Sequence, residues 1–238
     1  MKCRRYGLIT IGLITLLTSV GFAKVWDATK DFGPSNPNGA WSYGYGVTGT
    51  SFTPNPIYDP NCAPVPGVVC WTAQLSEQLP VVAFNTTGGF LSWETLISPP
   101  DALSVHPAWD YGQDTIVAWT APKDGGYTIN GFFELLDISP TGIIGLVYRN
   151  GTQLYSQVLL GPPAHQPDQV GGREDFYFQL QLNAGDVISF GVNNDGWTSN
   201  DTTGFNATVT PTPEPISLML FGTGFIGLAG AVRRRLKR

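Results

Sequence analysis

A chain of 238 residues is long enough for one domain plus targeting segments. Its 42% hydrophobic share, with seven Trp, nine Tyr and thirteen Phe, excludes a disordered, aromatic-poor polymer. The net charge of −5 hides a polarised distribution, because eight of the 13 basic residues lie in the first five and last six positions. Residues 24–210 keep only Lys24, Lys30, Lys123, Arg149 and Arg173 against seventeen acids, a net charge of −12 that disfavours nucleic acid as a partner.

The N-terminus carries Lys2, Arg4 and Arg5, then an apolar run from Leu8 to Val20, then Gly21-Phe22-Ala23. A basic n-region, a short apolar stretch and small residues before a cut form a signal peptide over residues 1–23, cleaved after Ala23. An uncleaved anchor is the alternative, but the run is shorter than the roughly 20 residues that span a bilayer. Signal peptidase and the Sec export machinery are the partners this segment implies. Cys3 precedes the apolar stretch and leaves with it.

Between residues 24 and 210 short alternating or apolar runs recur, bounded by glycine, proline, asparagine and aspartate, and none reads as a long amphipathic helix. The predicted strands are Ala40–Val47, Val81–Asn85, Thr115–Thr120, Tyr127–Leu135, Ile143–Arg149, Gln153–Leu160, Phe176–Leu182, Asp186–Val192 and Gly204–Val209. Asn150-Gly151 predicts a two-residue hairpin, because both central residues of a type I′ turn need positive φ. Lys123-Asp124-Gly125-Gly126 and Asn183-Ala184-Gly185-Asp186 predict further turns. Strands so spaced argue for an all-β domain, an antiparallel β-sandwich of jelly-roll type. The segment Pro54 to Pro66 holds five prolines and is excluded from any central strand. Cys62 and Cys70 remain as the two cysteines of an exported chain, which predicts one disulfide, with two free thiols as the alternative.

The C-terminus reads Pro213-Glu214-Pro215, then the uncharged run Ile216 to Val232, then Arg233-Arg234-Arg235-Leu236-Lys237-Arg238. Seventeen uncharged residues reach the low end of spanning length, about 17–25, so a single transmembrane helix is expected. The basic end behind it stays cytoplasmic by the positive-inside rule. Residues 211–238 are similar to the PEP-CTERM sorting tails of Gram-negative bacteria: the Pro-Glu-Pro motif, the glycine-containing span and Arg233–Arg235 occur in that order. Ile216-Ser217 departs from the small or hydroxylated pair usual after the motif. The resemblance implies recognition and cutting by a membrane protease of exosortase type, and delivery to the cell surface or an exopolysaccharide matrix. A tail that simply stays as an anchor is the plainer reading.

Two stretches of the body resemble exported sandwich modules of carbohydrate-binding type. They are Asn36 to Tyr45, and the later series His106-Pro107, Trp119 to Pro122, Gly126-Tyr127-Thr128, Asn150-Gly151, Ala184-Gly185-Asp186 and Asp201-Thr202-Thr203. The resemblance places Trp119 as a buried strand tryptophan; Ala108 stands where a glycine is expected after His-Pro.

Catalytic residues are not predicted: His106 and His165 are far apart, and no G-x-S-x-G elbow, H-E-x-x-H helix or phosphate loop occurs. A glycan hydrolase would need a carboxylate pair roughly 5–10 Å apart. Glu94, Glu134, Asp137, Glu174 and Asp175 are the available acids, and Glu174 and Asp175 are adjacent on a predicted strand, so they face opposite sides. Trp109, Tyr111 and Trp197 lie in polar, loop-like contexts and are the candidate ligand-binding aromatics, with loop packing as the alternative. Trp41, Trp71, Trp93 and Trp119 lie in apolar company and are expected in the core. Asn193-Asn194-Asp195 and Asn200-Asp201 offer oxygens for Ca²⁺, but turn chemistry explains them as well. No cofactor or resident metal is expected. The expected function is a non-catalytic surface or matrix protein that binds polysaccharide, the alternatives being a purely structural envelope protein and a glycan hydrolase.

Overall fold

The computed structural model describes residues 24–76, 79–108, 113–138, 140–160, 172–196 and 199–212. The chain begins with β1 (Trp26–Asp27), β2 (Trp41–Gly46), β3 (Thr53–Pro54), β4 (Ile57–Asp59), β5 (Val68–Thr72) and β6 (Val81–Asn85). A hairpin of β7 (Leu91–Trp93) and β8 (Leu96–Ser98) precedes β9 (Leu103–His106), β10 (Asp114–Thr120) and β11 (Gly125–Leu135). The remainder is β12 (Ile143–Arg149), β13 (Thr152–Leu159), β14 (Arg173–Leu182), β15 (Val187–Asn193) and β16 (Thr203–Pro211). All the pairings are antiparallel.

Two sheets form. The first runs β14-β11-β16-β9-β6-β5-β4, with β1 also paired to β16; the second runs β13-β12-β15-β10-β2-β3. From β9 onward the chain passes back and forth between the sheets, with β12 and β13 as a hairpin within the second, which is the jelly-roll winding the turn spacing predicted. Side chains at every second position fill the space between them. Tyr127, Ile129, Phe133 and Leu135 of β11 and Phe205, Ala207 and Val209 of β16 face Val117 and Trp119 of β10 and Phe190 and Val192 of β15 in one core. Aromatic rings knit the layers: Phe190 lies 5.1 Å from Phe205, and Trp119 lies 5.2 Å from Tyr127 and 5.5 Å from Trp26.

The predicted strands all form, most with an end shifted by one to three residues. The type I′ hairpin forms at Asn150 (φ 45°) and Gly151 (φ 85°), where a side chain other than Asn or Asp would resist the first angle. Asn150 also serves the neighbouring turn, donating to Asp186 at 2.8 Å and accepting from the Val187 amide at 2.8 Å. The proline-rich stretch stays out of the sheet centres: β3 closes one edge of the second sheet and β4 one edge of the first.

Cys62 and Cys70 form a disulfide with a Cα–Cα distance of 5.7 Å, tying the 60–67 turn to β5. Cys62, Val68, Cys70 and Ala83, with Val65, Leu91 and Trp93 packed on them, make a second small cluster. This cluster lies on the outer surface of the first sheet, because Ala83 and Cys70 alternate with inward-facing Val82 and Trp71. The β7–β8 hairpin therefore roofs the β5–β6 half of that surface, and among the described residues nothing roofs the β14–β11–β16 half. In the chain-entropy model the short loop contributes on the order of 2–3 kcal/mol. Alkylation of unfolded, unreduced mature protein should add no group, and reduction first should add two; two groups without reductant would disprove the bond.

Both ends of the described chain emerge at one end of the sandwich. Trp26 of β1 pairs with Val209 of β16, while Tyr127 at the start of β11 pairs with Pro211. The turns 121–126, 149–152 and 183–186 lie at this end, called the base. The connections β9–β10, β11–β12 and β15–β16 lie at the opposite, distal end.

Candidate functional site

The uncovered half of the first sheet is a polar grid with two aromatic rings. Register sets its rows. Asn130 of β11 lies between Tyr177 of β14 and Thr208 of β16, and Phe132 lies between Asp175 and Asn206. Glu134 follows, opposite Arg173. These residues alternate with buried Ile129, Phe133, Phe176 and Phe205, so the packing of the core fixes their direction outward.

The grid is built around Phe132 and Arg173. The guanidinium carbon lies 3.6 Å from the Phe132 ring centroid, a stacked cation–π geometry. Arg173 is also 3.1 Å from Asp175 and 3.5 Å from Glu134. Burial raises the Glu134 carboxyl above its usual range, and the Arg173 charge opposes that shift. Asn130 accepts from the Thr208 hydroxyl, and Asn206 is fixed by the Thr29 amide at 3.3 Å and by donation to the Asp101 carbonyl at 3.4 Å. A furrow of about 280 Å³ runs among Asn130, Phe132, Arg173, Asp175, Asn206 and Thr208. Beside it Tyr177 is 61% exposed, high for an aromatic residue on a sheet. Sequence reading missed this surface, because an alternating strand does not say which polar face lies open and which is roofed.

A second concavity of about 270 Å³ opens under the β7–β8 hairpin, lined by Trp93, Glu94, Ser104, His106 and Thr202 above the disulfide cluster. Trp93, expected in the core, is instead half-buried at this mouth, since its short hairpin packs over the sheet and not between the sheets. His106 donates from Nδ1 to the Pro107 carbonyl at 2.8 Å, the carbonyl being able only to accept. Leu136 separates this cleft from the furrow, resting where a Cβ on Gly204 would lie 3.0 Å away.

The loop candidates Trp109, Tyr111 and Trp197 lie outside the described residues, as do Pro213, Glu214, Pro215, Arg233, Arg234 and Arg235 of the tail. The flanks of the Trp109–Tyr111 loop and the Trp197 loop do meet at the distal end, where Asn194 donates to the Ala108 carbonyl at 3.2 Å. Trp41, Trp71 and Trp119 are buried as expected. Asn193 and Asn194 accept from the amides of Asp195 and Gly196, the turn chemistry given as the alternative to Ca²⁺.

The distal acids are structural ties. Asp201 is fully buried and accepts from the Thr141 amide at 2.8 Å and the Gly142 amide at 2.9 Å, with its carboxyl raised by burial against those donors. Asp137 accepts from Thr95 at 2.8 Å and the Thr202 amide at 2.7 Å. Asp114 accepts from the Thr48 amide at 2.8 Å and Asn193 at 2.6 Å. Glu94 is exposed at φ 50° in the hairpin turn. Glu174 and Asp175 fall on opposite faces of β14, since Glu174 pairs with inward Phe133 and Asp175 with outward Phe132. Among the acids weighed for hydrolysis, Glu134 and Asp175 meet on Arg173 at the open face, while Glu94, Asp137 and Glu174 lie elsewhere.

Residues 211–235 match the PEP-CTERM protein-sorting motif, so the chain carries the tail its last residues resembled. That motif implies export and membrane anchoring on the way to the cell surface. No curated protein matches the chain. Among solved structures, the K3 cleaved adhesin domain of Lys-gingipain from Porphyromonas gingivalis w83 is similar at 13% identity and TM-score 0.36, over 48% of this chain and 75% of that one. CBM51 from Clostridium perfringens GH95, solved in complex with methyl-galactose, is similar at 9% identity and TM-score 0.35, over 79% and 99%. A family 35 carbohydrate-binding module from Clostridium thermocellum follows at 12% identity and TM-score 0.28, over 61% and 89%.

Proposed function

We propose that this protein is exported, cut from its PEP-CTERM tail by an exosortase-type membrane protease, and retained at the cell surface or in the extracellular matrix, where it binds polysaccharide without cleaving it. The observation that carries the binding reading is the open face of β14, β11 and β16. There, Phe132 and Tyr177 stand among amide, hydroxyl, guanidinium and carboxylate groups on a rigid sheet. Aromatic faces cover the apolar faces of sugar rings, while fixed polar groups select their hydroxyls. A surface spanning three strands suits an extended chain better than a single small molecule. The body's net charge of −12 favours neutral glycans, or acidic ones bridged by divalent cations.

Affinity electrophoresis of the mature protein through gels containing the host's own exopolysaccharide, and neutral and acidic glycans, tests the reading. Phe132→Ala and Tyr177→Ala should each weaken binding about tenfold, equivalent to 1.4 kcal/mol. Trp109→Ala and Trp197→Ala place the distal loops in or out of the same site. No retardation on any glycan would leave a structural envelope protein, and release of reducing ends would make it a hydrolase.

A further inference from the structure

The tail leaves the domain with almost no slack. β16 ends at Pro211, the Thr212 amide is still bonded to the Gly126 carbonyl at 2.8 Å, and the sorting motif starts at residue 213. Four residues, 212–215, separate the folded strand from the uncharged run that begins at Ile216. Fully extended, they reach at most about 14 Å at roughly 3.3–3.6 Å per residue. The headgroup layer takes up roughly 5–7 Å of that on each side of the bilayer. While the span is in the membrane, the base of the sandwich is within reach of the lipid headgroups.

The charge distribution fits that position. Three of the five cations of residues 24–210 lie at the base. Lys24 precedes β1, which pairs with the end of β16, Lys123 occupies the turn into β11, and Arg149 opens the 149–152 hairpin. Lys24 and Lys123 are exposed, and Val25 beside Lys24 is 50% exposed. Arg149 bonds Asp186 at 2.8 Å and offsets that acid, while Asp124, which accepts from the Ala184 amide at 2.7 Å, is outnumbered by Lys24 and Lys123. The distal end is the reverse: Asp114, Asp137, Glu174, Asp175, Asp195 and Asp201 gather there, with Arg173 the one cation among the described residues of that end.

We infer that the base, with Lys24, Lys123 and Arg149, docks on the anionic lipid headgroups of the outer face of the inner membrane before the tail is cut, and that the acidic distal end points away. This rests on the tail serving as a membrane span. The orientation lays the open face of β14, β11 and β16 along the membrane normal, clear of the bilayer. It also confines the sorting protease to the bilayer side, because the residues upstream of Thr212 are locked in a central strand.

The test uses the full-length mature chain, residues 24–238, in nanodiscs of phosphatidylglycerol and phosphatidylcholine, with acetylation rates of Lys24, Lys30 and Lys123 read by peptide mass spectrometry. The reference is a variant with a flexible Gly-Ser insert of about twenty residues after Thr212, in phosphatidylcholine discs. Lys24 and Lys123 should react about fivefold more slowly in the first sample, the factor matching roughly 1 kcal/mol per basic residue at an anionic surface. Lys30, three residues beyond β1 and tied to Asp27 at 2.9 Å, should change less. Equal changes at all three lysines, or none, overturn the orientation. A full-length chain that does not co-purify with discs overturns the reading of the tail as a span, and the orientation with it.

Discussion

Trp119→Ala is expected to remove about 3–5 kcal/mol of stability, the range for deleting a large aromatic side chain from a packed core. Trp119 is fully buried and lies between the two sheets, edge-on to Trp26 and Tyr127. Its loss would open a cavity where the pairing of β1 with β16, the mid-sheet strands and the base turns converge, and neighbours already committed to both layers have little freedom to collapse into it. For a domain whose total stability is typically about 5–15 kcal/mol, that is a large share. The indole Nε1 has no hydrogen-bond partner among the described residues. Trp119→Phe should therefore cost clearly less than Trp119→Ala, since it keeps ring packing and removes a buried unsatisfied donor. Tyr177→Ala, on the solvent face, should stay within about 0.5 kcal/mol of the parent protein. Guanidinium unfolding of the three variants, followed by near-ultraviolet circular dichroism, gives the comparison. A loss below about 1 kcal/mol for Trp119→Ala would mean that the sheets do not share this core.

Glu214→Ala should change the fate of the whole protein and leave its fold untouched. Moving each arginine of Arg233–Arg235 to the bilayer centre costs roughly 2.5–3.5 kcal/mol on insertion scales, so on the proposed reading the basic end would stay cytoplasmic while the span halts in the membrane. Pro213 and Pro215 disfavour helix in the residues before them, which on the same reading would present the motif as an extended segment that a protease can take up. Glu214 supplies its single charge. In a host that has the protease, the parent chain should appear as a shortened, surface or secreted form. The Glu214→Ala chain should accumulate as a larger form in the membrane fraction, and Arg233, Arg234 and Arg235 replaced together by Ala should let the tail slip through unprocessed. An immunoblot with a body-directed antibody reads all three. Parent and Glu214→Ala proteins running at one size in one fraction would reduce the tail to a permanent anchor.

The long strands were legible because each carries its own signal. Tyr127 to Leu135 alternates except at Gly131-Phe132, and Asn150-Gly151 demands one turn type whatever surrounds it. The missed strands lack such signals. β1 is two residues long and exists through its pairing with β16, far along the chain. β5 is a continuous apolar run behind a proline-rich turn, without alternation to mark it. The candidate site was least legible. Loop tryptophans attract attention by their polar neighbours, whereas Phe132 and Tyr177 sit inside strands among residues that read as ordinary alternation. What singles them out is that the β7–β8 hairpin roofs a different part of the same sheet, a fact of tertiary placement.

The central position of β16 also sets the order of events during export. Chains cross the membrane from their N-terminus, so β16 is the last strand of the domain to arrive, yet it lies between β11 and both β9 and β1. Until it is in place the first sheet is two separate pieces with β1 unpaired, and Phe133 and Phe190 lack the Phe205 ring. Contacts of such wide sequence separation form late and slowly. On the proposed reading the domain closes only when residues 203–211 have cleared the translocation channel, as the uncharged run behind them reaches the bilayer. Truncated or stalled chains would display an unfinished sheet edge to periplasmic proteases. On that reading, completion of the fold reports that the sorting signal has arrived with it, and the last strand inspects the chain for wholeness.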